Sequence, residues 1–239
     1  MGFSSYRNIV VLTGAGISAE SGIKTFRDQN GLWENHRIED VATPEGFYKN
    51  RQLVNDFYNE RRRSLISPQI RPNPAHIALA NFENKWQGNF ALVTQNVDDL
   101  HERAGSKNIY HMHGQLLQAR CLNCGKIQTW LQDIETESIC SSCQQKNSLR
   151  PNIVWFGELP FFMQEINQLL TTCDLFLSIG TSGHVYPAAM FVQTVRKYSA
   201  GHCVQFNTQA TDNQDLFHET IIGPAGTTLA KYLEKFNFN

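Results

Sequence analysis

Two cysteine pairs, Cys121-x2-Cys124 and Cys140-x2-Cys143, with fifteen residues between them, constrain this chain more than any other feature. Two knuckles at that spacing can bring four thiolates to one tetrahedral zinc ion. Four cysteine ligands close the coordination shell and leave no position for water, so the metal is expected to hold structure and to activate no nucleophile. The lobe around it should collapse when the ion is stripped. The other two of the six cysteines, Cys173 and Cys203, stand beside apolar runs and read as buried small hydrophobes. No apolar run is long enough for a membrane span, and the first residues lack the apolar core of a signal peptide. A cytoplasmic protein away from membranes is expected, and there paired cysteines favour metal over disulfide.

Outside the cysteine segment the pattern is that of an α/β protein. Short apolar runs recur at 9–12, 90–94, 109–112, 175–179 and 202–206, with helix-like segments between most of them. Alternating strands and helices imply a mainly parallel, Rossmann-like sheet. Two stretches break the rhythm, 35–87 and 117–149. They are expected to form a smaller domain, a helical insertion plus a zinc ribbon, beside a large domain made of 1–34, 88–116 and 150–239. Within the insertion, Pro44 after Thr43 and Pro74 after Asn73 mark helix starts, and Leu53, Phe57 and Leu65 recur at helical spacing. A net charge of −1 offers no basic field, so nucleic acid is not an expected partner.

Small and amide residues gather where the apolar runs end. Gly14-Ala15-Gly16, with Ala19 three residues on, reads as a strand-to-helix turn that could cradle a pyrophosphate, its helix opening at 17–21. Gln95-Asn96-Val97-Asp98 follows the second run, His113-Gly114 the third, Gly180-Thr181-Ser182 the fourth and Asn207 the fifth. Gly223-Pro224-Ala225-Gly226 opens the last helix. In an open α/β sheet these ends share one edge, where ligands bind. Two readings stay open for each: Gln95 and Asn96 can cap a helix or grip a carboxamide, and His113 can be a satisfied histidine or a proton acceptor.

Taken together and in this order, these motifs resemble the sirtuins, NAD-dependent protein lysine deacylases, and most of all their bacterial members with deacetylase and desuccinylase activity. The resemblance also draws on Phe26-Arg27 and on Val154-Trp155-Phe156-Gly157-Glu158, and it runs nearly end to end. It implies NAD as a consumed co-substrate, one structural zinc ion on Cys121, Cys124, Cys140 and Cys143, and an acyl-lysine protein bound as an extended peptide. His113 becomes the general base. Gly14, Ala15, Gly16 and Ala19 would take the pyrophosphate, and Phe26, Arg27 and Trp33 would belong to a loop closing over NAD. Gln95, Asn96, Val97 and Asp98 would form the ribose and nicotinamide pocket. Gly180, Thr181, Ser182, Asn207 and Ala225 would surround the adenosine half. Trp155, Phe156 and Gly157 would border the peptide groove.

Tyr58 and Arg61 stand three apart on one helix face, and the resemblance makes them the pair that binds a succinyl carboxylate, with Ala42 leaving room for it. Without the resemblance, Arg61-Arg62-Arg63 reads as a solvated basic run. Asn152, in a position where relatives more often carry His or Asp, suggests nothing catalytic. The implied products are nicotinamide, 2′-O-acyl-ADP-ribose and free lysine, and a monomer is expected. Mono-ADP-ribosyl transfer shares the first cleavage step and stays open, as does a zinc-ribbon nucleic-acid adaptor without catalysis, which the charge disfavours. A dehydrogenase would leave the nicotinamide bond intact.

Overall fold

Asn-Ile-Val-Val-Leu-Thr is buried along nearly its whole length, as a β-branched run must be when helices cover both faces of a parallel sheet. This strand, β1 (Asn8–Thr13), begins a computed structural model that describes residues 6–24, 36–236 and the backbone of 32–33. There follow β2 (Leu32–Trp33), β3 (His36–Arg37), α1 (Ile38–Val41), α2 (Pro44–Lys49), α3 (Arg51–Leu65), α4 (Pro74–Lys85), β4 (Asn89–Thr94), α5 (Leu100–Ala104) and β5 (Ile109–His111). Next come β6 (Gly114–Cys121), β7 (Ile127–Thr129), β8 (Leu149–Ile153), α6 (Met163–Thr171) and β9 (Leu175–Ile179). The chain closes with α7 (Phe191–Tyr198), β10 (His202–Asn207), β11 (Glu219–Ile222) and α8 (Ala225–Leu233).

Six strands form the main sheet in the order β11-β10-β9-β1-β4-β5, and every pairing is parallel. Val10 sits opposite Ala91 of β4 on one side and Phe176 of β9 on the other. The chain thus grows outward in one direction from β1 through β4 and β5, then returns and grows the other way from β9. This is the doubly wound arrangement, and its crevice opens beyond the carboxyl ends of β1 and β9. Alternate residues of β1 serve two cores. Ile9 and Val11 join Leu79 and Phe82 of α4 and Leu229 and Tyr232 of α8. Val10 and Leu12 join Ile166 and Leu170 of α6 and Val192 and Val195 of α7. Cys173 and Cys203 lie in the second core, as expected, and burial pushes both thiols up from their ordinary pKa.

Both proline-marked helices start where the sequence places them. Thr43 accepts from the Gly46 N–H at 3.0 Å, and Asn73 from the Ala75 N–H at 2.9 Å. Helices α1 to α3 pack Val41, Phe47, Val54, Phe57 and Leu65 against Leu116, Ile153 and Trp155. The ribbon is a three-stranded antiparallel sheet, β7-β6-β8. It begins at Gly114 and ends at Ile153, beyond the expected 117–149, because β6 leaves directly from His113 and β8 runs directly toward Trp155. The basic run divides three ways. Arg63 is exposed and pairs with Asp133, and Arg61 is half-buried. Arg62 is fully buried, donating from Nε to the Leu116 carbonyl at 3.1 Å and from Nη1 to Asn59 at 2.8 Å. Asn59 in turn bonds both the N–H and the carbonyl of Ile134, so Arg62 and Asn59 fasten α3 to the ribbon.

The glycine turn differs from expectation in one respect. Residues 15–21 form a 3-10 helix, and the close backbone approach that Gly16 permits is to the chain itself. Gly16 N–H donates to the Gly180 carbonyl at 2.9 Å, and Gly14 N–H to that of Ile179 at 3.0 Å. A Cβ on Gly16 would stand 2.6 Å from the Gly180 Cα, and one on Gly180 would stand 2.4 Å from the Ile17 nitrogen. Gly180 also has φ of +63°. Gly180→Ala is therefore expected to destabilise the fold by about 2–3 kcal/mol through overpacking and backbone strain. Urea unfolding of the variant measures this, and a midpoint equal to that of the parent contradicts it.

Candidate active site

Beneath the Gly14 turn the first 3-10 residues bring Ser18 to the centre of a buried polar cluster. Its hydroxyl donates to Asp98 Oδ2 at 3.0 Å and accepts from Asn96 Nδ2 at 3.2 Å. The same Asn96 amide donates to the Gly14 carbonyl at 3.2 Å. Asp98 Oδ1 accepts from the Leu100 N–H at 3.1 Å, one position before the α5 N-cap Asp99, and Asn96 ties the 95–98 loop to the glycine turn. Gln95 contributes through its backbone, its N–H donating to the Thr13 carbonyl at 2.9 Å. Val97 accepts at its carbonyl from Leu116 N–H at 2.8 Å, which joins the loop to β6.

Two histidines complete the floor. His76 Nδ1 accepts from the Asn73 N–H, which leaves Nε2–H to point toward the Ser18 hydroxyl 3.5 Å away. His101 Nε2 lies 3.0 Å from the Thr13 hydroxyl, which itself bonds Thr94 at 2.9 Å. Burial pushes His76 down to about 4 and His101 well below the ordinary histidine value, so both are neutral at pH 7. Burial also raises the Asp98 carboxyl, against its bonds to Leu100 and Ser18.

His113 faces this cluster from the turn between β5 and β6. Its Nδ1 lies 3.1 Å from the Gln95 carbonyl, and a carbonyl can only accept, so Nδ1 carries the proton and Nε2 keeps its lone pair. Burial lowers its pKa, opposed by that bond. The group is thus a neutral, oriented proton acceptor. Its own carbonyl accepts from the Val154 N–H at 2.9 Å, so the segment 154–158 is anchored to the histidine.

At the other end of the crevice, Thr181 bonds Ser178 at 2.9 Å, and its carbonyl accepts from Asn207 Nδ2 at 2.8 Å. Ser182 is exposed and accepts from the His184 N–H at 3.3 Å. Ala225 is buried at the start of α8, where Gly226 N–H donates to Glu20 Oε1 at 2.9 Å. Gly14, Gly16, Gly180, Thr181, Asn207 and Ala225 therefore share one edge. Ala15 is half-buried there and Ala19 exposed. Phe26 and Arg27 lie outside the described residues, and Trp33 is described only as a backbone pair with His36.

The expected substrate side is equally connected. Phe156 N–H donates to the Ala42 carbonyl at 2.9 Å, and Trp155 Nε1–H donates to the Tyr58 hydroxyl at 3.0 Å. Phe156 is 47% exposed, and Gly157 is exposed at φ of +90°. Trp155, expected beside them in the groove, is only 2% exposed: its ring is turned inward, with Arg150 Cζ 3.3 Å from its centroid. Tyr58 is buried as well, which raises its pKa, while the neighbouring Arg61 charge lowers it. Arg61 lies over the Phe57 ring and donates to the Phe57 carbonyl at 2.6 Å. Asn152 is buried and donates to Gln118 at 2.9 Å.

Cys121 and Cys143 place their sulfurs 3.7 Å apart, Cys124 and Cys140 likewise, and all four lie within 4.8 Å of one another. Zinc–sulfur bonds of about 2.3 Å in a tetrahedron require sulfurs about 3.8 Å apart, so the four residues fit the ion. They would hold it as a structural centre, at the far side of the ribbon from His113. Sequence reasoning passed over Ser18, His76, His101, Glu20 and the Arg150–Glu158 pair. Ser18 stands inside the glycine motif, His101 closes the polar run after β4, and Arg150 and Glu158 bound the segment that holds Trp155, so their places carried a signal, whereas His76 and Glu20 carried none. Cys140→Ser is expected to release zinc and lower the melting temperature by 10 °C or more, since such sites supply on the order of 10 kcal/mol of folding energy. Metal analysis alongside calorimetry tests this, and a metal-free variant melting with the parent contradicts it.

A model described as the Sir2 family matches residues 14–187. An NAD-dependent protein deacylase of Bdellovibrio bacteriovorus is 54% identical over 231 residues, covering 97% of each chain. One of Pasteurella multocida is 55% identical over 95% of this chain and 97% of its own. Among solved structures, a Sir2 homologue in complex with NAD superposes with a TM-score of 0.87 at 35% identity, covering 98% of this chain and 91% of that one. A Sir2 complex with p53 peptide and NAD+ gives a TM-score of 0.81 at 30% identity, covering 98% and 94%.

Proposed function

This chain belongs to the Sir2 family, and from that premise we propose that it is an NAD-dependent protein lysine deacylase that removes both acetyl and succinyl groups. The observation that carries the chemistry is His113, a neutral imidazole with a free Nε2 lone pair at the edge shared by the Gly14 turn and the 95–98 loop. When bound, NAD would supply the ribose as acyl acceptor: its bond to nicotinamide breaks as the acyl carbonyl oxygen bonds to the ribose carbon, and one water is taken up before the lysine is released. Gly14, Ala15, Gly16 and Ala19 lie toward its pyrophosphate, and Gly180, Thr181, Ser182, Asn207 and Ala225 toward its adenosine. Gln95, Asn96, Val97 and Asp98 would orient the nicotinamide ribose. His113 Nε2 takes the proton of a ribose hydroxyl so that transfer can proceed.

The protein substrate lies as an extended strand along Phe156 and Gly157, whose backbone can add hydrogen bonds. The lysine acyl group passes between His113 and Ala42, and a succinyl carboxylate reaches Tyr58 and Arg61. Support for this comes from the linkage of Ala42, Phe156, Trp155 and Tyr58 into one hydrogen-bonded unit anchored at His113. We place the protein in the cytoplasm as a monomer; among the described residues no helix is long and apolar enough to cross a membrane.

Mass spectrometry of acyl-lysine peptides incubated with the protein and NAD tests the reading, with 2′-O-acyl-ADP-ribose as the diagnostic product. His113→Ala is expected to lower turnover about 100-fold or more while zinc stays bound, the usual scale for losing a general base. Because the base works when neutral and its pKa is lowered, the acid limb of kcat/KM should fall below the ordinary histidine value of about 6.5. Unchanged turnover, or a limb above that value, counts against the assignment. Arg61→Met is expected to lower kcat/KM for a succinylated peptide about 10- to 150-fold relative to its acetylated twin, the range for a charge-assisted bond of roughly 1.5–3 kcal/mol. Equal losses on the two peptides would make Arg61 part of the helix scaffold only.

A further inference from the structure

The segment that borders the expected peptide groove sends its two aromatic rings in opposite directions, Phe156 outward and Trp155 into the small lobe. Trp155 is held from three sides. Its N–H donates to Glu158 Oε2 at 2.9 Å, the Arg150 guanidinium stacks on its ring, and its indole N–H donates to the Tyr58 hydroxyl at 3.0 Å. Arg150 is itself fixed by a bidentate pair with Glu158, Nη1 to Oε1 at 2.7 Å and Nη2 to Oε2 at 3.0 Å, and by the Ile153 carbonyl at 2.8 Å. Planar pairing of this kind sets orientation as well as energy. An indole N–H is a donor only, so in this contact the phenol oxygen must accept. The Tyr58 proton is thereby directed away from Trp155, and the O–H is made a better donor by the bond it receives.

From this geometry we propose that Trp155 is a positioning residue for acyl selection: clamped by Arg150 and Glu158, it aims the Tyr58 hydroxyl at a carboxylate on the substrate's acyl chain. The proposal rests on the reading that Tyr58 and Arg61 receive that carboxylate. Trp155 touches Tyr58 and not the substrate, so its influence belongs to binding. It should appear in KM for acidic acyl groups more than in kcat. The ring alone, without its N–H, should keep the packing against Phe47 and Arg150 and lose the aim.

Trp155→Phe is the variant, measured with succinylated and acetylated forms of one peptide beside Arg61→Met, Tyr58→Phe and the Trp155→Phe/Tyr58→Phe pair. The succinyl-to-acetyl ratio of kcat/KM is expected to fall about tenfold, the upper range for one neutral hydrogen bond, chiefly through KM. In the Tyr58→Phe background the same change should move the ratio less than twofold. Equal losses on both peptides, or a full-sized ratio change without the Tyr58 hydroxyl, would overturn the role of Trp155. Arg61→Met separates the levels: if it fails to distinguish the peptides, the desuccinylase reading itself falls, and if it does distinguish them while Trp155→Phe does not, only the positioning role falls. Should Trp155→Phe fold poorly, the parent protein suffices. Without NAD, the succinyl peptide should shift the indole N–H resonance of Trp155 more than the acetyl peptide does, and equal shifts overturn the proposal.

Discussion

No side chain fits between the turn that follows β1 and the turn that follows β9. Gly16 and Gly180 meet backbone to backbone, and a single added carbon on either would stand closer than 3 Å to main-chain atoms. This contact fixes the crevice, because it sets the two halves of the doubly wound sheet at one separation where the direction of winding reverses. Around it the peptide groups of Gly14 and Gly16 are already committed to Ile179 and Gly180, so the turn is rigid before any ligand arrives. A site built this way gains from preorganisation: little conformational freedom is left to lose on binding.

Rigid glycines would be of little use without the hydroxyl beneath them. Ser18 gathers Asp98, Asn96 and His76, and Asn96 returns the connection to Gly14. Burying so many polar groups is tolerable because nearly every one is paired, the side-chain Nδ1 of His101 being an exception. The two buried histidines are driven neutral by desolvation, whereas His113, at the edge of the same cluster, is lowered yet oriented by Gln95. Similar side chains thus divide, according to what each nitrogen touches, into two buried scaffold histidines and the one proposed for chemistry.

Much of this was legible in the chain itself. Strands with consecutive β-branched or aromatic residues announce themselves, and so do helices that begin with Thr-Pro or Asn-Pro and the paired cysteines, because each is a local rule obeyed locally. What escaped was decided at a distance. Glu-Thr-Ile-Ile forms β11, an edge strand largely open to solvent, so its sequence lacks a buried run. Arg62 looked like one of three solvated arginines, yet the carbonyl of Leu116 and the side chain of Asn59 await it inside. Which of Trp155 and Phe156 faces the groove depends on an arginine five residues earlier and a glutamate three residues later. No periodicity in the sequence encodes that choice. The residues proposed for function were singled out through the order of motifs taken together, since each motif alone is also a turn or a cap.

The first strand of the chain lies at the centre of the sheet, between β4 and β9, and this has a consequence for how the molecule is made. β4 can pair with it once about ninety residues exist, but the other edge waits for residues 175–179. At ribosomal rates of roughly 5–20 residues per second, that edge stays open for something like 10–30 s of synthesis. During this interval a strand of Ile, Val, Val and Leu presents unpaired amides and carbonyls beside an incomplete core, the arrangement most prone to pairing with another chain. Long-range parallel closure is also slow in itself. The nascent protein is therefore most exposed to aggregation in the period before β9 emerges, and arrival of β9 ends it.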